Sequence, residues 1–173
     1  MADIDFAKLN LLDALDLAIL IEEEAKERYE HFVELIGTRY PGDAADIFAA
    51  MAKNEAQHKA QLSARRRELF GDSPIRVNRD MIWDVEAPDQ GRPRVFMSPY
   101  QAMEVAMEGE IKAHNFFRDA LATVADKSVR ELFSELKDEE LEHQRLLQQW
   151  MDKYEGDRNP DRSDDDLDDP SAL

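Results

Sequence analysis

Two spacings in this sequence bring together side chains that bind metal ions. Glu55-x-x-His58 recurs as Glu140-x-x-His143, and Glu22 recurs as Glu110. On a helix, Glu-x-x-His sets a carboxylate and an imidazole about one turn apart on the same face, where both can converge on a cation. Cysteine is absent. Disulfides, thiol nucleophiles, thiolate zinc sites and iron–sulfur centres are therefore excluded within this sequence, and carboxylate and imidazole must hold any metal. Such donors suit iron, manganese or zinc. With 39 Asp and Glu in the chain, one Glu-x-x-His alone carries little weight. The repeat carries it.

Chain punctuation predicts four long helices to position these residues. The first covers about 9–37 and is closed by Tyr40-Pro41-Gly42. The second has Asp43 as N-cap and runs to Phe70, where Gly71 stops it. The third opens on Ser98-Pro99-Tyr100-Gln101, a capping box with proline at the first helical position. A break at 126–128 follows, where Ser128 and Glu131 read as a second capping box, and the fourth helix runs to about Tyr154. Between the second and third lies 71–98, with Pro74, Pro88, Gly91 and Pro93, too irregular for a helix and too long for a turn. Short, long and short connections predict an all-α, ferritin-like four-helix bundle with one long crossover between helices two and three. Ile82-Trp83 and Val95-Phe96-Met97 are expected to pack that crossover onto the bundle, in preference to a second subunit.

Reading each helix at alternating steps of four and three traces the seam that should be buried. Helix one gives Leu11, Leu15, Ala18, Glu22, Ala25, Tyr29, Phe32 and Ile36; helix two gives Ala44, Phe48, Met51, Glu55, His58, Leu62, Arg65 and Leu69. Helix three gives Met103, Ala106, Glu110, Ala113, Phe117, Ala120 and Val124; helix four gives Val129, Phe133, Leu136, Glu140, His143, Leu147, Trp150 and Tyr154. Arg65 lies near a helix end, where a long side chain reaches water. In mid-helix the polar seam residues are Glu22, Glu55, His58, Glu110, Glu140 and His143. Ile47-Phe48-Ala49-Ala50-Met51 before Glu55 and His58 matches Leu132-Phe133-Ser134-Glu135-Leu136 before Glu140 and His143. At ~1.5 Å rise per residue, the distances of these groups from their turns place all six within about one helical turn of one level.

Four carboxylates gathered in a bundle core would each lose several kcal/mol of hydration and repel one another. Against a total stability of ~5–15 kcal/mol they cannot stay ionised and unpaired, and protonating all four would need very large pKa shifts. Two divalent cations remove the conflict, with the histidines binding as neutral imidazoles. Glu23, Glu24, Glu27, Glu30 and Glu34 read instead as an exposed helix face, His31 as a surface residue, Tyr29 as a core aromatic, and His114 as a satisfied or exposed histidine near Glu110.

The formal net charge of −17 argues against nucleic acid or an anionic membrane surface as partner. Residues 155–173 hold eight acids and two arginines without apolar periodicity, so they read as a solvated, disordered tail after a bundle domain at 1–154. The apolar run Leu17 to Ile21 ends at Glu22-Glu23-Glu24, far short of the ~20 residues of a membrane span. The acidic N-terminus does not resemble a secretory signal. A cytoplasmic protein is expected.

On Glu22-x-x-Ala25-x-x-x-Tyr29, Ile47-Phe48 with Glu55-x-x-His58, Glu110-x-x-Ala113 and Glu140-x-x-His143, the stretch 9–154 resembles the rubrerythrin-related branch of the ferritin-like di-iron carboxylate superfamily. The resemblance implies two iron ions, with terminal carboxylates at Glu22 and Glu110, bridging carboxylates at Glu55 and Glu140, and one imidazole each from His58 and His143. It implies reaction with hydrogen peroxide or oxygen, electrons from a separate donor protein, and a homodimer. Two departures stand out. Rubrerythrins proper have a further carboxylate one turn after the third-helix glutamate, where this chain has Ala113, and they have a cysteine-bound iron domain that this sequence lacks. A ferroxidase or iron-storage protein, or a metal-stabilised interaction module without enzymatic activity, are the alternative readings. Storage cages of the ferritin type usually end in a short apolar helix, which 155–173 cannot form.

Overall fold

The structure, a computed structural model, describes residues 4–82, 85–91, 93–94 and 96–154. Four long helices carry the fold: α1 (Leu11–Ile36), α2 (Ala44–Phe70), α3 (Pro99–Ala120) and α4 (Lys127–Lys153). Short 3-10 turns at Phe6–Lys8 and Arg79–Met81 precede α1 and interrupt the crossover, and the described residues contain no strand. Packing is densest within the pairs α1/α2 and α3/α4, with the crossover passing between the pairs. None of these helices is long and apolar enough to cross a membrane.

The helix ends follow from local chemistry. Asp43 caps α2 by accepting from the backbone N–H groups of Ala45 and Asp46, and Ser98 and Gln101 form the expected reciprocal box at α3. Gly71 ends α2 at φ 57°, a conformation an L side chain resists. Two caps differ from expectation. Asn10 caps α1 by accepting from Asp13 N–H. At α4 the cap is Asp126, whose carboxylate takes the N–H groups of Ser128 and Val129 at 2.8 and 3.1 Å. Ser128 thus lies inside the helix, and the Ser128–Glu131 capping box does not form. Asp126, two residues upstream, starts the helix earlier and already holds the Ser128 N–H that box would need.

Seam positions are buried or half-buried with one exception, Leu69, which is 52% exposed. A straight α-helix drifts ~20° per heptad from a 3.5-residue seam, and by the last turn of α2 the drift has brought Phe70 toward the core in place of Leu69. Arg65 reaches outward to Glu135, as its place near the helix end suggested. Ile82 is fully buried against the bundle, but Phe96 is 78% exposed, with the Arg39 guanidinium 4.8 Å from its ring centroid. A surface cation–π contact thus replaces the core contact expected of it. Trp83, Val95 and the tail 155–173 lie outside the described residues.

The core comes in two parts. One apolar cluster contains Leu15, Leu17, Ile21, Phe117, Leu132 and Phe133; the other contains Tyr29, Phe32, Phe48, Met51, Met103 and Leu147. Between them along each helix lie Glu22, Glu55, Glu110 and Glu140.

Candidate metal centre

Each helix contributes one glutamate to this layer, and all four are at most 2% exposed. Glu22, Glu55 and His58 offer donor atoms within 4.8 Å of one another, and so do Glu110, Glu140 and His143. His58 Nδ1 lies 3.7 Å from both Glu22 Oε2 and Glu55 Oε2. His143 Nδ1 lies 3.1 Å from Glu110 Oε2 and 3.4 Å from Glu140 Oε2. The two trios meet, since the imidazole rings stack with centroids 4.7 Å apart and planes 3° from parallel. The histidines keep 18% and 12% of their side-chain surface exposed, so the imidazole side of the layer faces solvent. All six residues expected from the sequence therefore gather at one level.

A seventh was not expected. Glu86, in the crossover, is 2% exposed and reaches the same layer. Its carboxylate forms close sets with Glu22 and Glu140 and with Glu55 and Glu110. Oxygens of Glu22, Glu55, Glu86, Glu110 and Glu140 are buried with no hydrogen-bond partner among the described residues.

This crowding shifts the titration of several groups in the layer. Burial drives the Glu22, Glu86 and Glu140 carboxyls well above the usual carboxylate range, and the neighbouring carboxylates add to the effect. Burial and then the charge of Glu55 push Glu110 up to about 8. Burial favours neutral His58, but the carboxylates of Glu22 and Glu55 outweigh it and raise its pKa to about 11. Four acids that hold their protons and an imidazole that holds an extra one describe a site short of positive charge. The buried oxygens without partners make the same point geometrically. Hard oxygen and imidazole donors, disposed as two trios, could hold metal ions.

The sequence profile of the Rubrerythrin family matches residues 13–90 and 101–169. This chain belongs to the rubrerythrin family. No curated protein matches it. Among solved structures, an uncharacterized conserved protein from Magnetospirillum magnetotacticum is 28% identical, with a TM-score of 0.64 over 84% of this chain and 95% of the other. A hypothetical protein from Pyrococcus furiosus is 20% identical, with a TM-score of 0.55 over 84% of this chain and 90% of the other, a likeness of fold alone.

In this rubrerythrin-family chain Ala113 is fully buried in the first apolar cluster and brings no carboxylate to the layer. His114 is half-buried and belongs to none of the close donor sets, and His31 is exposed. Tyr29 is fully buried, and its hydroxyl has no hydrogen-bond partner among the described residues. Glu27, Glu30 and Glu34 are exposed as expected, whereas Glu23 and Glu24 are half-buried. The crossover explains Glu23, since Arg79 pairs with both Glu23 and Glu27; Glu24 pairs with the buried Arg28.

The crossover approaches α3 at Gly109. A Cβ there would meet the Glu86 carbonyl oxygen at 2.8 Å and the Tyr29 hydroxyl at 3.1 Å. Gly109→Ala is accordingly expected to lower stability by ~1–3 kcal/mol, the usual cost of overpacking, measured by urea denaturation. Unchanged stability would show that the crossover can yield without cost.

Proposed function

We propose that this protein is a di-iron carboxylate enzyme that reacts with hydrogen peroxide or oxygen, its electrons returned by a separate donor protein. The observation carrying the proposal is the layer of unpaired carboxylates and paired imidazoles between two apolar clusters. Glu22, Glu55 and His58 would hold one ion, and Glu110, Glu140 and His143 the other. Glu55 also lies within reach of Glu110, and Glu140 within reach of Glu22, as bridging carboxylates require. Two ferrous ions supply two electrons, the number that reduces one hydrogen peroxide to two waters.

The protein's own part is placement and enclosure. The apolar clusters on either side keep water from the carboxylates, so interactions with a cation are stronger than at a surface. Access is from the imidazole side. A groove of ≈ 200 Å³, lined by His58, Gln61, Leu62, Leu132, Leu136 and Glu139 among others, reaches the layer between α2 and α4. Its size suits a small oxidant. The sequence has no cysteine, so no thiolate iron site within it can return electrons, which is why the reading includes a separate donor. The homodimer expected from the family belongs to the same reading.

Stopped-flow mixing of the ferrous protein with each oxidant tests this function. Consumption of peroxide or oxygen faster than by the same concentration of free iron is expected. If neither is consumed faster, the enzymatic reading is lost.

A further inference from the structure

We propose that Glu86 is a fifth carboxylate donor to the di-metal centre, supplied by the crossover and not by a bundle helix. The inference rests on the di-metal reading above and extends it to a residue outside the four-helix pattern.

The geometry of the segment supports it. Glu86 is 2% exposed, and neither of its carboxylate oxygens has a hydrogen-bond partner among the described residues. A buried carboxylate kept only to fill space would need a partner, because an unpaired one costs free energy. Both close donor sets that contain Glu86 take one residue from each trio, Glu22 with Glu140 and Glu55 with Glu110, and neither includes a histidine. Glu86 therefore lies astride the two proposed ion sites.

Its backbone is held there deliberately from several sides. The buried Arg28 of α1 donates to Pro88 O at 2.6 Å. Lys112 of α3 donates to Ala87 O at 3.0 Å and to Asp89 Oδ1 at 3.2 Å. Ala87 is fully buried, and the missing side chain at Gly109 lets the Glu86 carbonyl approach α3. These contacts hold the main chain at Glu86 and in the three residues after it, and they leave its carboxylate free to bind a cation. A fifth carboxylate also adds one negative charge beyond what two divalent ions neutralise. The layer can then accept more positive charge when the ions are oxidised.

Titration of metal-free protein with cobalt(II) chloride, an oxygen-stable stand-in for ferrous iron, tests the proposal in wild type and Glu86→Gln. Substituting even an outer partner of a metal ligand usually costs 10–100-fold in affinity, so Glu86→Gln is expected to weaken at least one ion by ~10-fold or more. The visible cobalt spectrum should change with the lost donor. The metal-free melting temperature should stay the same or rise, because a costly buried acid has gone. If the variant binds two ions with wild-type affinity and spectrum, Glu86 is not a donor. If its metal-free form is destabilised, Glu86 is structural and the proposal is overturned. Failure of the wild type itself to bind cobalt would instead count against the di-metal reading.

Discussion

Glu55→Ala is expected to abolish binding of at least one of the two ions. Glu55 is fully buried, neither carboxylate oxygen has a hydrogen-bond partner among the described residues, and it groups with Glu22 and His58 on one side and with Glu86 and Glu110 on the other. An alanine leaves one trio with two donors and removes a bridge to the other. The loss should also appear in stability. A ligand that binds only the folded state at 1,000 times its Kd stabilises by ~4 kcal/mol, and ~1 kcal/mol moves the melting temperature of a domain this size by ~2–4 °C. Metal loading should therefore raise the wild-type melting temperature by roughly 10 °C per ion, and chelation should reverse it. In Glu55→Ala the rise should shrink by at least half. Equilibrium dialysis followed by thermal melts reads both quantities. An unchanged metal content in this variant would remove the basis for assigning the layer.

Metal-free and metal-loaded protein should respond to pH in opposite directions. Glu110 has its pKa raised from 4.5 to about 8 in the folded protein. Below pH 4.5 it is protonated in both states. As pH rises toward 8 the unfolded chain releases a proton that the folded chain retains, so folding becomes less favourable. Glu22, Glu86 and Glu140 act in the same direction. His58, raised from 6.5 to about 11, stabilises fully below 6.5 and loses that contribution as pH climbs through 11. Each such group costs the metal-free protein on the order of 1 kcal/mol per pH unit over its window. The opposite slope belongs to Glu23 and Glu27, which Lys59 and Arg79 hold below the usual carboxylate range, and it is finished below about pH 4.5. Between pH 5 and 8 the metal-free melting temperature should fall. Metal ions displace the protons, so binding tightens as pH rises, and the gap between the two forms should widen. Thermal melts of both forms at pH 5, 6, 7 and 8 check this; a metal-free protein that gains stability over that range would contradict it.

Much of this arrangement was legible in the sequence because helices convert spacing into position. Glu22, Glu55, Glu110 and Glu140 each occupy a seam in which nearly every other residue is apolar, and the two histidines follow their glutamates by three. Asp43, Gly71 and Ser98 mark boundaries by chemistry confined to a few residues, so the second helix and the start of the third fall where expected. Errors arose where the deciding contact is local competition or tertiary. Asp126 caps the fourth helix two residues before Ser128 and places Ser128 inside it. Helical drift turns Leu69 away. Glu86 was missed because the crossover has no period from which burial can be read. Arg28, Lys112 and the space above Gly109 bring it inward. The apparent balance of four acids against two divalent ions was consequently one carboxylate short.

The central claim is that cations belong among these buried acids. Elemental analysis of the protein after loading with ferrous iron and removal of excess, joined to the optical spectrum after oxidation, tests it most directly. Two irons per chain are expected, with near-ultraviolet charge-transfer absorption from carboxylate-bound ferric iron. A folded chain that retains less than one ion and shows no such absorption would contradict the claim.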